Sequence, residues 1–155
     1  LDEKVKLSQK FSHIGFSILI LSILLNGVLS KEITKNMLVG DELKFLNKII
    51  TFESISIEEK KNFQALQAKF ILKDLNGEKI FNPEVRIYNQ PKIFTSEADI
   101  KTGLFEDNFL VFNLVDDKYF NVRYQYKPFM LLIWLSTILI SIGGIITIKE
   151  KNEIY

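Results

Sequence analysis

The chain has 155 residues, with 20 Lys and Arg against 19 Asp and Glu, so its net charge of +1 offers no electrostatic footprint for nucleic acid. It holds no cysteine and one histidine, which excludes disulfides, thiolate catalysis and any zinc site built from Cys or several His. The mean hydropathy of +0.12 looks ordinary only because a charged middle dilutes two apolar ends.

Residues 1–10 form a short polar lead with Lys4, Lys6 and Lys10. Phe11 to Ser30 then runs twenty residues without Lys, Arg, Asp or Glu. At a helical rise of about 1.5 Å per residue, such a run matches a hydrocarbon core roughly 30 Å thick. Its twelve Leu, Ile, Phe and Val residues favour membrane residence by about 4–7 kcal/mol on an insertion scale. The run is longer than a signal-peptide core, and Leu29-Ser30-Lys31-Glu32 follows it instead of a small-x-small cleavage site. A transmembrane helix over 11–30 is therefore predicted.

Helical spacing places Ser12, Gly15, Ser22, Asn26 and Ser30 in one stripe, the mark of a face packed against another membrane helix. His13 points well away from that stripe. An ionisable group in a membrane helix is a functional candidate by default. Its imidazole can bond a neighbouring carbonyl, or it can ligate a metal or haem iron. The residues alone leave both readings open.

Residues 31–127 carry fifteen basic and fifteen acidic side chains and read as strands. Ile49 to Ile57 alternates apolar and polar from Ile50 onward, as a half-buried strand does. Gln67–Leu72 and Lys79–Phe81 flank Asp74-Leu75-Asn76-Gly77, whose Asn-Gly pair is a hairpin signal. Phe109–Phe112 and Tyr119–Tyr126 read as two more strands around an Asp116-Asp117 turn. A small antiparallel β-domain is predicted, as a sandwich or a curled sheet.

Phe129 to Ile148 is the second uncharged run of twenty, again with twelve Leu, Ile, Phe and Val residues, and the predicted helix covers 128–148. Thr137, Ser141, Gly144 and Thr147 form its expected packing stripe. Residues 149–155 are a polar tail. The expected fold class is thus membrane α plus β: two transmembrane helices flanking a small antiparallel β-domain. Two passes place both termini on one side of the membrane. Lys31, Lys35 and Lys44 after the first helix balance the three Lys before it, so positive charge does not orient the pair.

No other constellation points to catalysis. Glu58-Glu59-Lys60-Lys61 and Asp116-Asp117-Lys118 read as solvated turns. Gly143-Gly144 lies inside a membrane helix and cannot be a phosphate loop. A Ser/His/Asp triad needs a histidine that the β-domain lacks. A start at Leu1 instead of Met suggests a piece of a longer or processed polypeptide.

Several motifs, taken in order, resemble the C-terminal end of the CcmF-type haem lyase family of cytochrome c maturation. Val122-Arg123-Tyr124-Gln125-Tyr126-Lys127-Pro128-Phe129 is similar to that family's V-R-x-Y-Y-K-P-hydrophobic lead into its last helix. Ile133-Trp134-Leu135 and Gly143-Gly144 follow at the family's spacing. Pro83-Glu84-Val85-Arg86-Ile87-Tyr88 resembles a P-E-K-R-x-Y strand, Thr95–Ile100 resembles T-E-A-A-I, and Asp107–Val111 resembles D-L-Y-V. Ser12-His13-Ile14-Gly15 matches the H-x-G opening of the preceding helix.

The resemblance implies that His13 is an axial ligand of a membrane haem b, with the second ligand outside this chain. It implies a β-domain on the periplasmic or intermembrane-space side, in the bacterial inner membrane or alternatively the mitochondrial one. Implied partners are the remainder of the lyase or its other split subunits, a haem chaperone, apocytochrome c and membrane lipid. The implied function is covalent haem attachment to apocytochrome c, with no catalytic residue in this chain. Departures are plain. The tryptophan-rich segment and the other haem histidines are absent, Leu132 replaces an Arg or aromatic, and Lys149-Glu150-Lys151-Asn152 replaces an acidic–Arg–Tyr tail. A fragment or split subunit is expected, not a complete lyase. The rival expectation is a non-enzymatic two-pass docking or sensing protein. A transporter is disfavoured because neither run holds an acidic residue.

Overall fold

Each apolar run becomes one long helix, and the chain between them becomes strands. The computed structural model describes residues 6–75, 77–116 and 118–152. Its first helix, α1, is Leu7–Leu29; its last, α2, is Met130–Asn152. Residues cluster into two units. One holds both helices with Gly103–Asp107, and the other holds Lys31–Thr102 with Asn108–Tyr126.

The helices pair antiparallel, and glycine permits their approach. A Cβ on Gly15 would lie 2.9 Å from Ile140 Cγ1 and 3.0 Å from the Ser136 carbonyl oxygen. A Cβ on Gly143 would lie 2.9 Å from both the Ser12 nitrogen and the Ser8 carbonyl oxygen, and would collide with Ser12 Oγ. Ser8, Gly15 and Ser22 are the buried residues of α1, one every two turns; Ser136 and Gly143 repeat that interval on α2. A seven-residue repeat keeps one seam facing its partner by a left-handed coil of the pair. At the other end of the pair, Asn26 Nδ2 donates to the Pro128 carbonyl at 2.5 Å. Only 11% of each apolar window is buried, so nearly all the hydrocarbon surface faces outward. By length and composition both helices are candidates to cross a membrane.

The expected stripe on α1 matches its packing face, but the one on α2 is off by a residue. Ser136 and Gly143 are buried, whereas Thr137, Ser141 and Gly144 are exposed. Thr137 Oγ1 donates to the Ile133 carbonyl at 2.9 Å and Ser141 Oγ to the Thr137 carbonyl at 2.9 Å. These hydroxyls are satisfied by their own helix and need no partner.

Ten strands are described: β1 Lys31–Met37, β2 Glu42–Phe45, β3 Lys48–Glu59, β4 Phe63–Asp74, β5 Gly77–Phe81, β6 Glu84–Asn89, β7 Lys92–Glu97, β8 Asp99–Thr102, β9 Glu106–Leu114 and β10 Phe120–Pro128. One sheet has the order β1-β10-β9-β8; the other has β2-β3-β4-β6-β7, with β5 also on β4. β1 pairs antiparallel with β10 from Lys31↔Tyr126 to Met37↔Phe120, so the first strand lies beside the last. The two sheets face each other across an aromatic core. Phe52 stacks on its register partner Phe70 at 4.3 Å and meets Phe120 of the opposite sheet edge-on at 5.6 Å. Phe70 meets Phe112 at 6.3 Å. Met37, Ile50, Leu72, Phe81, Leu110 and Val122 are fully buried around them.

Four of the five strand segments read from the sequence fall inside β3, β4, β5 and β9, and the fifth, Tyr119–Tyr126, begins one residue before β10. The phase slip within β3 has a cause: Phe52 pairs with Phe70 but Ser54 pairs with Lys69, so Glu53 is the extra residue of a β-bulge. Its carboxylate meets Lys69 Nζ at 2.8 Å. Of Glu58–Lys61, expected as a solvated turn, Glu58 and Glu59 end β3 and only Lys60 and Lys61 enter the turn, with Glu58 on Lys60 at 2.7 Å and the Lys60 amide on the Phe63 carbonyl. Asn76 and Asp117 lie outside the described residues; Gly77 has φ +127°, a conformation that suits glycine. Asp116 Oδ1 accepts the Tyr119 and Lys118 amides, which hold its carboxyl below the usual range.

Gly143→Leu is expected to separate the helix pair at a cost of about 1–3 kcal/mol, the usual penalty of overpacking. Gly144→Leu, whose Cβ has nothing within 4 Å, should leave the pair intact. Thermal unfolding of the two variants in detergent, followed by helix ellipticity, checks the contrast.

Candidate functional site

His13 lies in the second turn of α1 on its exposed side, with the packing residues Ser12 and Gly15 turned the other way. Among the described residues its imidazole makes no hydrogen bond; only its backbone carbonyl is engaged, by Ser17 Oγ at 2.8 Å. Helical spacing sets Ser17, Ile20, Leu24 and Gly27 in line with His13 along that face. Ile20 and Leu24 are exposed, and a Cβ at Gly27 would meet nothing within 4 Å. The result is an apolar facet beside an unengaged imidazole, with the small Ser17 one turn away.

No second ligand is at hand. Among the described residues no three His, Asp or Glu side chains gather into a metal site. Met37 is fully buried in the sandwich core. Met130 opens α2, at the end of the antiparallel pair away from His13.

The sandwich has a polar centre that alternation could not reveal. Lys48 is 9% exposed, the one buried lysine among the described residues. Its ammonium donates to Asn108 Oδ1 at 2.8 Å and to the Tyr124 hydroxyl at 3.2 Å, and lies 4.8 Å from the Tyr126 ring centroid. The Tyr124 hydroxyl also donates to Asn108 Oδ1. Lys48 belongs to β3 while Asn108 and Tyr124 belong to β9 and β10, so the cluster ties one sheet to the other. Asn108, Tyr124 and Tyr126 lie inside the stretches 107–111 and 122–129 quoted for the family resemblance, but Asn108 and Tyr124 are not among its matched letters.

Arg86, Glu97 and Arg123 differ in what they meet. Arg86 Nε meets Glu84 Oε2 at 2.9 Å along its own strand, and its guanidinium stacks 5.1 Å from the Phe63 ring centroid. The Glu84 hydrogen bond, then Tyr88, raise the Arg86 pKa. Glu97 faces Glu84 in the β6–β7 register. Arg123 is exposed opposite Thr34.

Residues 28–128 match the family model described as the CcmF C-terminal beta-sandwich. The chain belongs to this family. CcmF, the cytochrome c-type biogenesis protein of Haemophilus influenzae, is 25% identical over 91% of this chain. Rhodobacter capsulatus cytochrome c-type biogenesis protein ccl1 is 28% identical over 93% of it. The chain spans only about a fifth of these relatives, 22% of each. A solved structure of the cytochrome c haem lyase CcmF covers 89% of this chain with a TM-score of 0.73 at 14% identity, over 23% of its own length. That likeness establishes the fold: two apolar helices flanking an antiparallel sandwich.

Lys48→Ala is expected to destabilise the sandwich by about 2–4 kcal/mol, from two charge-assisted hydrogen bonds and the buried stem. Lys48→Met keeps the stem and should recover part of the loss. Denaturant unfolding of the full chain in detergent, followed by tyrosine near-ultraviolet signal, reads both.

Proposed function

We propose that this chain is the C-terminal part, or a split subunit, of a cytochrome c haem lyase, acting in covalent haem attachment to apocytochrome c. In this reading His13 would hold a membrane haem b through its imidazole. The observation that carries it is the position of the sole histidine: on the open face of an apolar helix, opposite the packing seam, with no hydrogen bond holding its ring.

The residues present fit that group. A neutral imidazole offers a ring nitrogen lone pair, Ile20 and Leu24 offer apolar surface, and Ser17 leaves room one turn away. Haem iron, when bound, takes up and releases single electrons. Everything else falls to the chain's own groups. α1 sets the imidazole at a fixed depth, the Gly15–Gly143 seam holds α1 against α2, and the exposed facet is left for the rest of the lyase, which supplies the second ligand.

The same reading sets the β-domain on the periplasmic or intermembrane-space side and both termini in the cytoplasm or matrix. The membrane is the bacterial inner one, or the mitochondrial inner one. Partners are the remainder of the lyase or its other subunits, the haem chaperone and apocytochrome c.

His13→Ala is expected to abolish the dithionite-reducible absorbance of the b-type haem in the assembled complex while the β-domain stays folded. An unchanged haem spectrum in that variant removes the ligand role and leaves a docking or sensing protein.

A further inference from the structure

Gly103–Asp107 clusters with the helices and not with the strands on either side of it in sequence. Two backbone hydrogen bonds hold it there. The Gly103 amide donates to the Glu106 carbonyl at 2.9 Å, closing a tight turn, and the Phe129 amide donates to the Phe105 carbonyl at 2.9 Å. A Cβ at Gly103 would lie 2.8 Å from that Glu106 oxygen, so the turn requires glycine. Phe129 is the residue just before α2, and Pro128 beside it accepts from Asn26 near the end of α1. The turn is thereby pinned to the end of the helix pair where the chain leaves α1 and joins α2.

What the turn presents is apolar. Leu104 is 67% exposed and Phe105 70% exposed, the two residues at its tip. Such a pair is costly to leave in water. A turn cannot enter the hydrocarbon centre, because its remaining backbone groups need polar partners there. It can sit at the boundary, with backbone among headgroups and side chains among the first acyl carbons.

From this we infer that Leu104 and Phe105 form an interfacial anchor, seated in the headgroup–acyl boundary of the bilayer that the two helices cross. The argument for lipid is continuity: the tip is hydrogen-bonded to the residue that opens α2, whose exposed face is Leu132, Trp134, Leu135 and Ile138. The anchor would fix the depth and rotation of the helix pair independently of any haem. It depends on the helices crossing a membrane and not on the role of His13.

The absence of cysteine makes a single-site label clean. Leu104→Cys carries a nitroxide in the full chain, reconstituted into phosphatidylcholine vesicles, and its collisions with oxygen and with a water-soluble nickel chelate are compared. Phe105→Cys is the second variant, should the first fail to fold. Ile138→Cys is the helix reference, and Leu75→Cys, 90% exposed in the sandwich, is the aqueous one. The oxygen-to-nickel collision ratio at the tip should exceed that at Leu75 by several-fold and stay below that at Ile138. A tip ratio equal to that at Leu75 overturns the anchor. Few collisions with either probe also overturn it, in favour of a protein cover. Should Ile138 itself collide with the nickel chelate, the helices do not cross and the anchor falls with them, while the haem spectrum of the His13 variant still tests the lyase reading.

Discussion

Two helices that are apolar on nearly every side gain little by hiding from lipid, so they must hold together by close backbone approach. Gly15 and Gly143 make that approach possible, one on each helix, with Ser8, Ser12, Ser22 and Ser136 filling the rest of the seam. The seam is lined mainly by small residues, with Ile140 against Gly15, while most large ones face outward. His13 is outward for the same reason: it follows Ser12 in sequence, about 100° further round the helix, which carries it well clear of the seam. Its availability to something beyond the pair is a by-product of where the glycines are.

The sandwich meets a different constraint. Its two sheets touch through Phe52, Phe70, Phe112 and Phe120, which supply area but little register. Lys48 adds the directional part. An ammonium inside a core is tolerated only with its hydrogen bonds met, and the Asn108 and Tyr124 oxygens meet them from the opposite sheet. Any sliding of β3 against β9 and β10 would break those bonds. The stretches 107–111 and 122–129 thus hold the residues that lock the two sheets together.

The parts legible in the residues were those with a period. Twenty-residue uncharged runs announced the helices, and alternation announced β3, β4, β5, β9 and β10. β1, β2, β7 and β8 were not read, and they are the edge strands of the two sheets. Edge strands are short and polar by necessity: Lys31-Glu32-Ile33-Thr34-Lys35-Asn36-Met37 buries Met37 alone. The α2 seam was misread by one position because hydroxyl residues were taken to need a partner, when their own helix satisfies them. Lys48 was hidden for another reason. A lysine beside Ile49 and Ile50 reads as the polar end of a strand, and only the packing of the second sheet over it makes it a core residue. The outward placement of His13 was legible from helical geometry, whereas no periodicity in the sequence says what its ring meets.

The bulge at Glu53 has a bearing on length. Before it, β3 turns Ile50 and Phe52 into the core; after it, Ile55 takes the inward side although the count from Phe52 is odd. Deleting that single carboxylate-bearing residue would return β3 to a regular ladder, with Phe52 inward, Ser54 outward and Ile55 inward as they already are. Substitution and omission at this position therefore both spare the core, so natural variation along this ribbon should alter its number by one as readily as its letters.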